Sequence, residues 1–89
     1  MKAIITVVGK DQVGIIAAVC TLLADNNVNV LDISQTILRE FFTMTMLVDL
    51  SGSKLPFTVL STLLENEGAK RGLAIKIQRE DIFNAMHKI

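Results

Sequence analysis

The apolar and polar positions along the 89-residue chain follow two different periods, and the changes between them mark out its elements. A period of two, or an unbroken β-branched run, predicts strands over residues 3–8, 28–38, 42–50 and 73–79. Apolar positions three and four apart predict one helix from Gly14 to the polar run at 25–27, and a second from Pro56 to Gly68 or Gly72. A last short helix is predicted to begin at Asp81 and to include Ile82, Phe83 and Met86.

The predicted second strand breaks its own alternation. Val28 and Val30 occupy even positions, whereas Leu31, Ile33 and Ile37 occupy odd ones. A strict period of two cannot place Val30 and Ile33 on one face, so the strand either contains a bulge or presents apolar side chains on both faces. Either arrangement fits an edge strand that meets a partner.

The order strand, helix, strand, strand, helix, strand predicts an α+β protein with a ferredoxin-like βαββαβ sandwich. Right-handed crossovers would put both helices on one face of a four-stranded antiparallel sheet, with the first and third strands central and the short C-terminal helix added at the end. The length predicts a single domain over residues 1–89.

The amino-acid composition limits the classes of function that the protein can have. Hydrophobic residues make up 51% of the chain, more than so small an interior can hide, so we expect a second copy to cover the remainder as a homodimer. Nine basic and nine acidic residues cancel, and the absence of a basic cluster argues against nucleic acid. The sequence has no apolar run long enough to span a bilayer, and no signal peptide is recognisable. It contains a single cysteine. These features predict a cytoplasmic protein away from membranes.

The loop from Gly9 to Gly14 is the main candidate for chemistry. Its glycine spacing matches a phosphate-binding loop, but Ile15 and Ile16 replace the required Lys-Ser/Thr pair, which argues against an NTPase. A glycine-edged loop leading into a helix still offers free N–H groups to a carboxylate or another small anion. The alternative is that Asp11 caps the helix itself and the glycines only make the turn.

Asn29 is the second candidate, because asparagine is a poor strand former. It either contacts a ligand or makes a hydrogen bond that ends the preceding turn. We expect the two ends of the first helix to bring Asn29 and the loop toward one region. The sequence has no nucleophile and base in a sensible arrangement, and His87 has no suitably spaced metal-binding neighbour, so no catalytic residues, metal or cofactor are predicted.

The residues resemble the ACT domain, the small regulatory module of amino-acid metabolism, over nearly the whole chain. Gly9-Lys10-Asp11-Gln12-Val13-Gly14-Ile15 looks like the family's Gly-x-Asp-x-Pro-Gly-hydrophobic turn, and Asn29-Val30 looks like its second-strand opening. The strongest likeness is to short stand-alone ACT proteins of bacteria and archaea. The amino-terminal parts of formyltetrahydrofolate deformylase and of the glycine cleavage repressor are similar through Ser34-Gln35.

The resemblance implies a dimer formed by pairing second strands and first helices, with an amino acid bound where the two copies meet. The residues that it implies for the ligand are Gly9, Lys10, Asp11, Gln12, Val13, Gly14, Ile15, Asn29, Val30 and Leu31. Val13 stands where the family usually has proline, which leaves the loop freer to move. Two functions are therefore carried forward: an amino-acid sensor that acts on another protein, and a ligand-free assembly or regulatory subunit for a separately encoded enzyme.

Overall fold

The computed structural model describes residues 1–10 and 12–81. It contains the six predicted elements in the predicted order: β1 (Lys2–Lys10), α1 (Ile15–Asp25), β2 (Asn29–Leu38), β3 (Phe41–Asp49), α2 (Phe57–Arg71) and β4 (Ala74–Arg79). Glu80 and Asp81 are helical directly after β4. The rest of the predicted C-terminal helix falls on 82–89, outside the described residues.

The four strands form one antiparallel sheet in the order β2-β3-β1-β4, so β1 and β3 are central as predicted. Ile5 of β1 lies opposite Met46 of β3 on one side and Ile77 of β4 on the other. Because opposed residues share a face, this row crosses the sheet on the side that the helices cover.

A single apolar core lies between the sheet and the two helices. Ile5, Met44, Leu23, Leu60 and Leu64 have no exposed surface, and no polar side chain is buried among the described residues. Burying a side chain of this size stabilises the fold by roughly 1.5–3 kcal/mol. The prediction of a ferredoxin-like sandwich is confirmed.

The predicted irregularity of β2 is a bulge. The register of β2 against β3 shifts between Val30 and Asp32, which leaves Leu31 as the extra residue. Beyond the bulge Ile33 lies opposite Met46, while Val30 lies opposite Val48 before it. The extra residue therefore puts Val30 and Ile33 on the same, helix-covered face of the sheet.

Two glycines at the end of α2 have different jobs. Gly72 ends the helix in the left-handed region at φ 71°, where glycine has no Cβ penalty. Gly68 allows close packing instead: a Cβ there would lie 2.7 Å from the Leu73 carbonyl oxygen and 2.9 Å from Ile75 Cγ1. The helix consequently sits tightly on the start of β4. None of the helices in the described part of the chain is long and apolar enough to cross a membrane.

Candidate ligand site at the edge of the sheet

The first turn of α1 forms one side of the candidate site. Gly14 occupies the N-cap position at φ 86°, and the first intrahelical bond runs from the Ala18 N–H to its carbonyl at 2.9 Å. The cap therefore comes three residues later than the Asp11 cap predicted from sequence, and Asp11 itself lies outside the described residues. No side chain of the described residues caps α1, so the N–H groups of its first turn face the surroundings.

Two predicted loop residues contact the α2–β4 junction. The Gln12 side-chain amide donates to the Arg71 carbonyl at 3.0 Å, and a Cβ on Gly9 would lie 2.5 Å from Leu73 Cδ2. Gly9 thus lets the Leu73 side chain pack closely against β1, and Gln12 ties the loop to the end of α2. Val13, by contrast, is fully exposed.

A concavity of about 240 Å³ lies between the start of α1 and the helix-covered side of β2. It is lined by Gln12, Gly14, Ile15, Ile16, Ala17, Gln35, Ile37 and Phe42. No charged side chain of the described residues is among them. The site therefore combines helix-terminal N–H groups with an apolar wall and two amides.

Asn29 lies at the other end of α1, opposite Asp49 in the ladder. Together with Ala24, Asn27 and Val28 it lines a shallow depression of about 360 Å³. Eleven helical residues span about 16 Å, so the loop and Asn29 of one chain are well separated. The prediction that the two ends of α1 bring the loop and Asn29 toward one region is wrong for a single chain, because they lie beyond opposite ends of the same helix.

Asp49, the ladder partner of Asn29, is held by its neighbour Ser51. Its Oδ1 accepts hydrogen bonds from the Ser51 hydroxyl at 2.7 Å and the Ser51 N–H at 2.9 Å. The hydroxyl bond and then the backbone bond hold the pKa of the Asp49 carboxyl below its usual 3.8. The carboxylate beside Asn29 therefore stays charged at neutral pH.

An exposed apolar band covers parts of β2, the start of β3 and the start of α1 with the loop before it, on both faces of the sheet. It comprises Val13, Ile16, Leu31, Ile33, Ile37, Leu38 and Phe41, all more than one-third exposed. The parity break of β2 signalled the strand members of this band in advance. Ile16 and Phe41 were missed as exposed residues, since helical spacing put Ile16 in the core stripe and Phe41 lies outside the predicted third strand.

Comparison with known proteins settles the family. A model of the ACT domain matches residues 2–78. The chain belongs to the ACT domain family. Over all 89 residues it is 57% identical to a UPF0237 protein of Clostridium acetobutylicum, with both chains covered completely. It also superposes on an ACT domain protein from Streptococcus pneumoniae at a TM-score of 0.82, with 48% identity and 93% of each chain covered.

The other predicted likenesses are confirmed at the level of fold. Formyltetrahydrofolate deformylase from Pseudomonas putida matches 88% of this chain at a TM-score of 0.77 and 14% identity, and the match spans 28% of that enzyme. A protein assigned as a glycine cleavage system transcriptional repressor matches at a TM-score of 0.73 and 28% identity, over 44% of its length. ACT domains are in general regulatory modules that bind small molecules.

Proposed function

We propose that this ACT domain is a homodimeric regulatory module that binds a small amino acid where its two copies meet and then acts on a separate protein. It is not itself an enzyme, and it works in the cytoplasm. The observation that carries the proposal is the exposed apolar band on β2 and the start of α1.

The edge of β2 supports pairing with a second copy. Its outer N–H and C=O groups have no strand beside them within the sheet, while Ile33 and Ile37 are 39% and 56% exposed. Ile16, Cys20 and Ala24 recur every four residues on α1, so they form a stripe on the side of the helix toward β2. An unprotected apolar edge flanked by an apolar helix stripe favours strand-to-strand and helix-to-helix pairing.

Twofold pairing would assemble the site from both copies. If β2 strands pair antiparallel about their midpoint, between residues 33 and 34, Asn29 lies opposite Leu38 of the partner subunit. That position neighbours Ile37, which lines the concavity at the start of α1. The two half-sites, separated within one chain, would then be neighbours across the seam.

The chemistry of the combined site suits a zwitterion. The N–H groups at the start of α1 and its positive dipole end attract a carboxylate. The side-chain oxygen of Asn29 from the other copy can accept from an ammonium group. With no charged residue among the described lining of the concavity, the ligand's own side chain would be small and uncharged.

A thermal-shift screen of the proteinogenic amino acids tests this function. An amino acid at 100 times its Kd should add about 2.7 kcal/mol to the free energy of unfolding. Asn29→Ala should abolish that shift, whereas Asn66→Ala, at an exposed position on α2, should keep it. A small, uncharged amino acid whose stabilising effect survives Asn29→Ala would contradict the two-copy site.

The ligand-free assembly subunit is the second candidate, favoured by the use of Gly9 and Gln12 for internal packing. If the protein is such a subunit, no amino acid should stabilise it. A stoichiometric partner should co-purify from the native cell and stay bound when amino acids are added. Loss of that partner on adding one amino acid would favour the sensor.

A further inference from the structure

The two helices lie side by side on the sheet without packing against each other. No Cα of α1, which is fully described, comes within 8 Å of a Cα of α2. Packed helices have axes 8–10 Å apart and Cα atoms about 2.3 Å from each axis, so facing Cα atoms would approach to roughly 3–5 Å. A groove therefore separates α1 from α2.

The groove has an apolar floor and small walls. Val19 and Ile75, both core residues, line its base, and Ala18 and Leu22 line the α1 side. Its volume is about 160 Å³, which equals about five water molecules at their liquid volume. That is well below the roughly 300–1,000 Å³ of sites for drug-sized ligands, so it suits one compact molecule.

Charged side chains of both signs line the groove at different heights. Arg71 lies toward the start of α1, where its carbonyl accepts from Gln12, whereas Asp25 is the last residue of α1. Glu67 comes one helical turn before Arg71, which places it between them. The groove thus has a cationic end, an acidic middle and an acidic end, with a net charge of −1.

Most of these charged side chains form no ion pair among the described residues. Among the described residues, neither Arg71 nor Asp25 forms an ion pair, and Glu67 is paired only with Lys70 at 3.4 Å. A groove of this charge pattern would be complemented by a linear molecule with one carboxylate, two cationic groups and an apolar middle.

We propose that the groove between α1 and α2 binds a basic amino acid. Its carboxylate meets Arg71, its two ammonium groups meet Glu67 and Asp25, and its methylene groups cover Val19, Leu22 and Ile75. This site lies within one chain and on the opposite side of α1 from the seam stripe of Ile16, Cys20 and Ala24.

The test is an amide NMR titration with L-lysine at constant ionic strength. We expect saturable shifts at Ala18, Leu22, Glu67 and Ile75. Norleucine, which lacks the side-chain ammonium, and cadaverine, which lacks the carboxylate, should each bind more weakly by up to about fivefold, since each loses one exposed ion pair. Equal binding of all three, or equal shifts with sodium chloride, would overturn the proposal.

Substitutions locate the site. Ala18→Leu should fill the groove and abolish lysine binding while the fold is kept, and Ala69→Leu, at an exposed position on α2, should leave binding intact. Asp25→Asn should weaken lysine binding by up to about fivefold and leave norleucine binding unchanged, with Glu65→Gln as the matched control. Lysine binding that survives Ala18→Leu, or shifts confined to Gly14, Ile16 and Asn29, would contradict the groove; the latter outcome would instead support the seam site.

Discussion

The two edge strands of this sheet, β4 and β2, differ in the kind of side chain that they expose. β4 alternates from Ala74 to Ile77, with Ile75 and Ile77 buried and Lys76 exposed, and it ends on the exposed Arg79. β2 carries a bulge and exposes large apolar residues along its length, namely Leu31, Ile33, Ile37 and Leu38. Charged side chains on an edge discourage pairing with another chain, and apolar ones invite it.

The helices repeat this asymmetry. α2 lies so close to β4 that Gly68 has no room for a Cβ, whereas α1 leaves the concavity between its first turn and β2. The β4 side is thus completed by its own chain, and the β2 side is left for something else. One sheet therefore has one edge that its own helix packs tightly and one edge that exposes apolar side chains.

A charge placed on the apolar β2 edge should have the largest effect on the difference between the two edges. Ile37→Lys puts two unpaired cations into a twofold β2 seam, and at about 1.4 kcal/mol each they should weaken dimerisation roughly a hundredfold. Sedimentation equilibrium measures the Kd. Circular dichroism should show a retained fold, because Ile37 is 56% exposed in the single chain.

The matched control for that experiment lies on the other edge. Lys76→Glu changes the charge of an exposed β4 residue and should leave the dimer Kd unchanged. If Lys76→Glu dissociates the dimer and Ile37→Lys does not, copies associate through β4 and the proposed seam is wrong.

Crowding the tightly packed β4 edge should give the next largest effect. Alanine usually stabilises a helix interior relative to glycine by about 0.5–1 kcal/mol. At Gly68 the new Cβ would meet a backbone oxygen and Ile75, so Gly68→Ala should instead destabilise by about 1–3 kcal/mol. Urea unfolding measures the change.

Asn66→Ala, two residues earlier and exposed, is the control and should raise stability slightly. A stabilised Gly68→Ala variant would mean that α2 can move away from β4 at little cost. The contrast between a tightly completed edge and an open one would then be lost.

The fold could be predicted from sequence because periodicity reports burial directly. The alternation of β3 and the spacing of Leu60 and Leu64 predicted their buried faces, and the parity break between Val30 and Ile33 predicted the bulge. The structural roles of the glycines were harder to predict from the sequence. A sequence cannot show whether Gly68 ends a helix or lets it approach a strand, since both uses need only a missing side chain.

The candidate site could be predicted only as a set of residue types. Gln12 and Asn29 were selected from sequence as candidate ligand-binding residues near helix ends, but the distance between them depends on three-dimensional placement. Gln12 turns toward Arg71, and Asn29 lies about a helix length from Gly14. The sequence signals for a shared site were consistent with one formed between copies, a geometry that single-chain periodicity does not encode.

The smallest expected effect concerns the carboxylate opposite Asn29 at the start of β2. The Ser51 hydroxyl is the largest influence that lowers the Asp49 pKa, so Ser51→Ala should raise that pKa toward 3.8, although the backbone bond from residue 51 keeps it partly depressed. A depressed pKa stabilises the fold above the unfolded-state value, and this contribution is lost as pH falls through the folded value. Below about pH 3.8, wild type should therefore lose this contribution at lower pH than Ser51→Ala does. Carboxyl ¹³C NMR titration of Asp49 measures the shift, and Ser53→Ala is the neighbouring serine control. An unchanged Asp49 pKa in Ser51→Ala would show that the hydroxyl bond does not hold the carboxylate opposite Asn29.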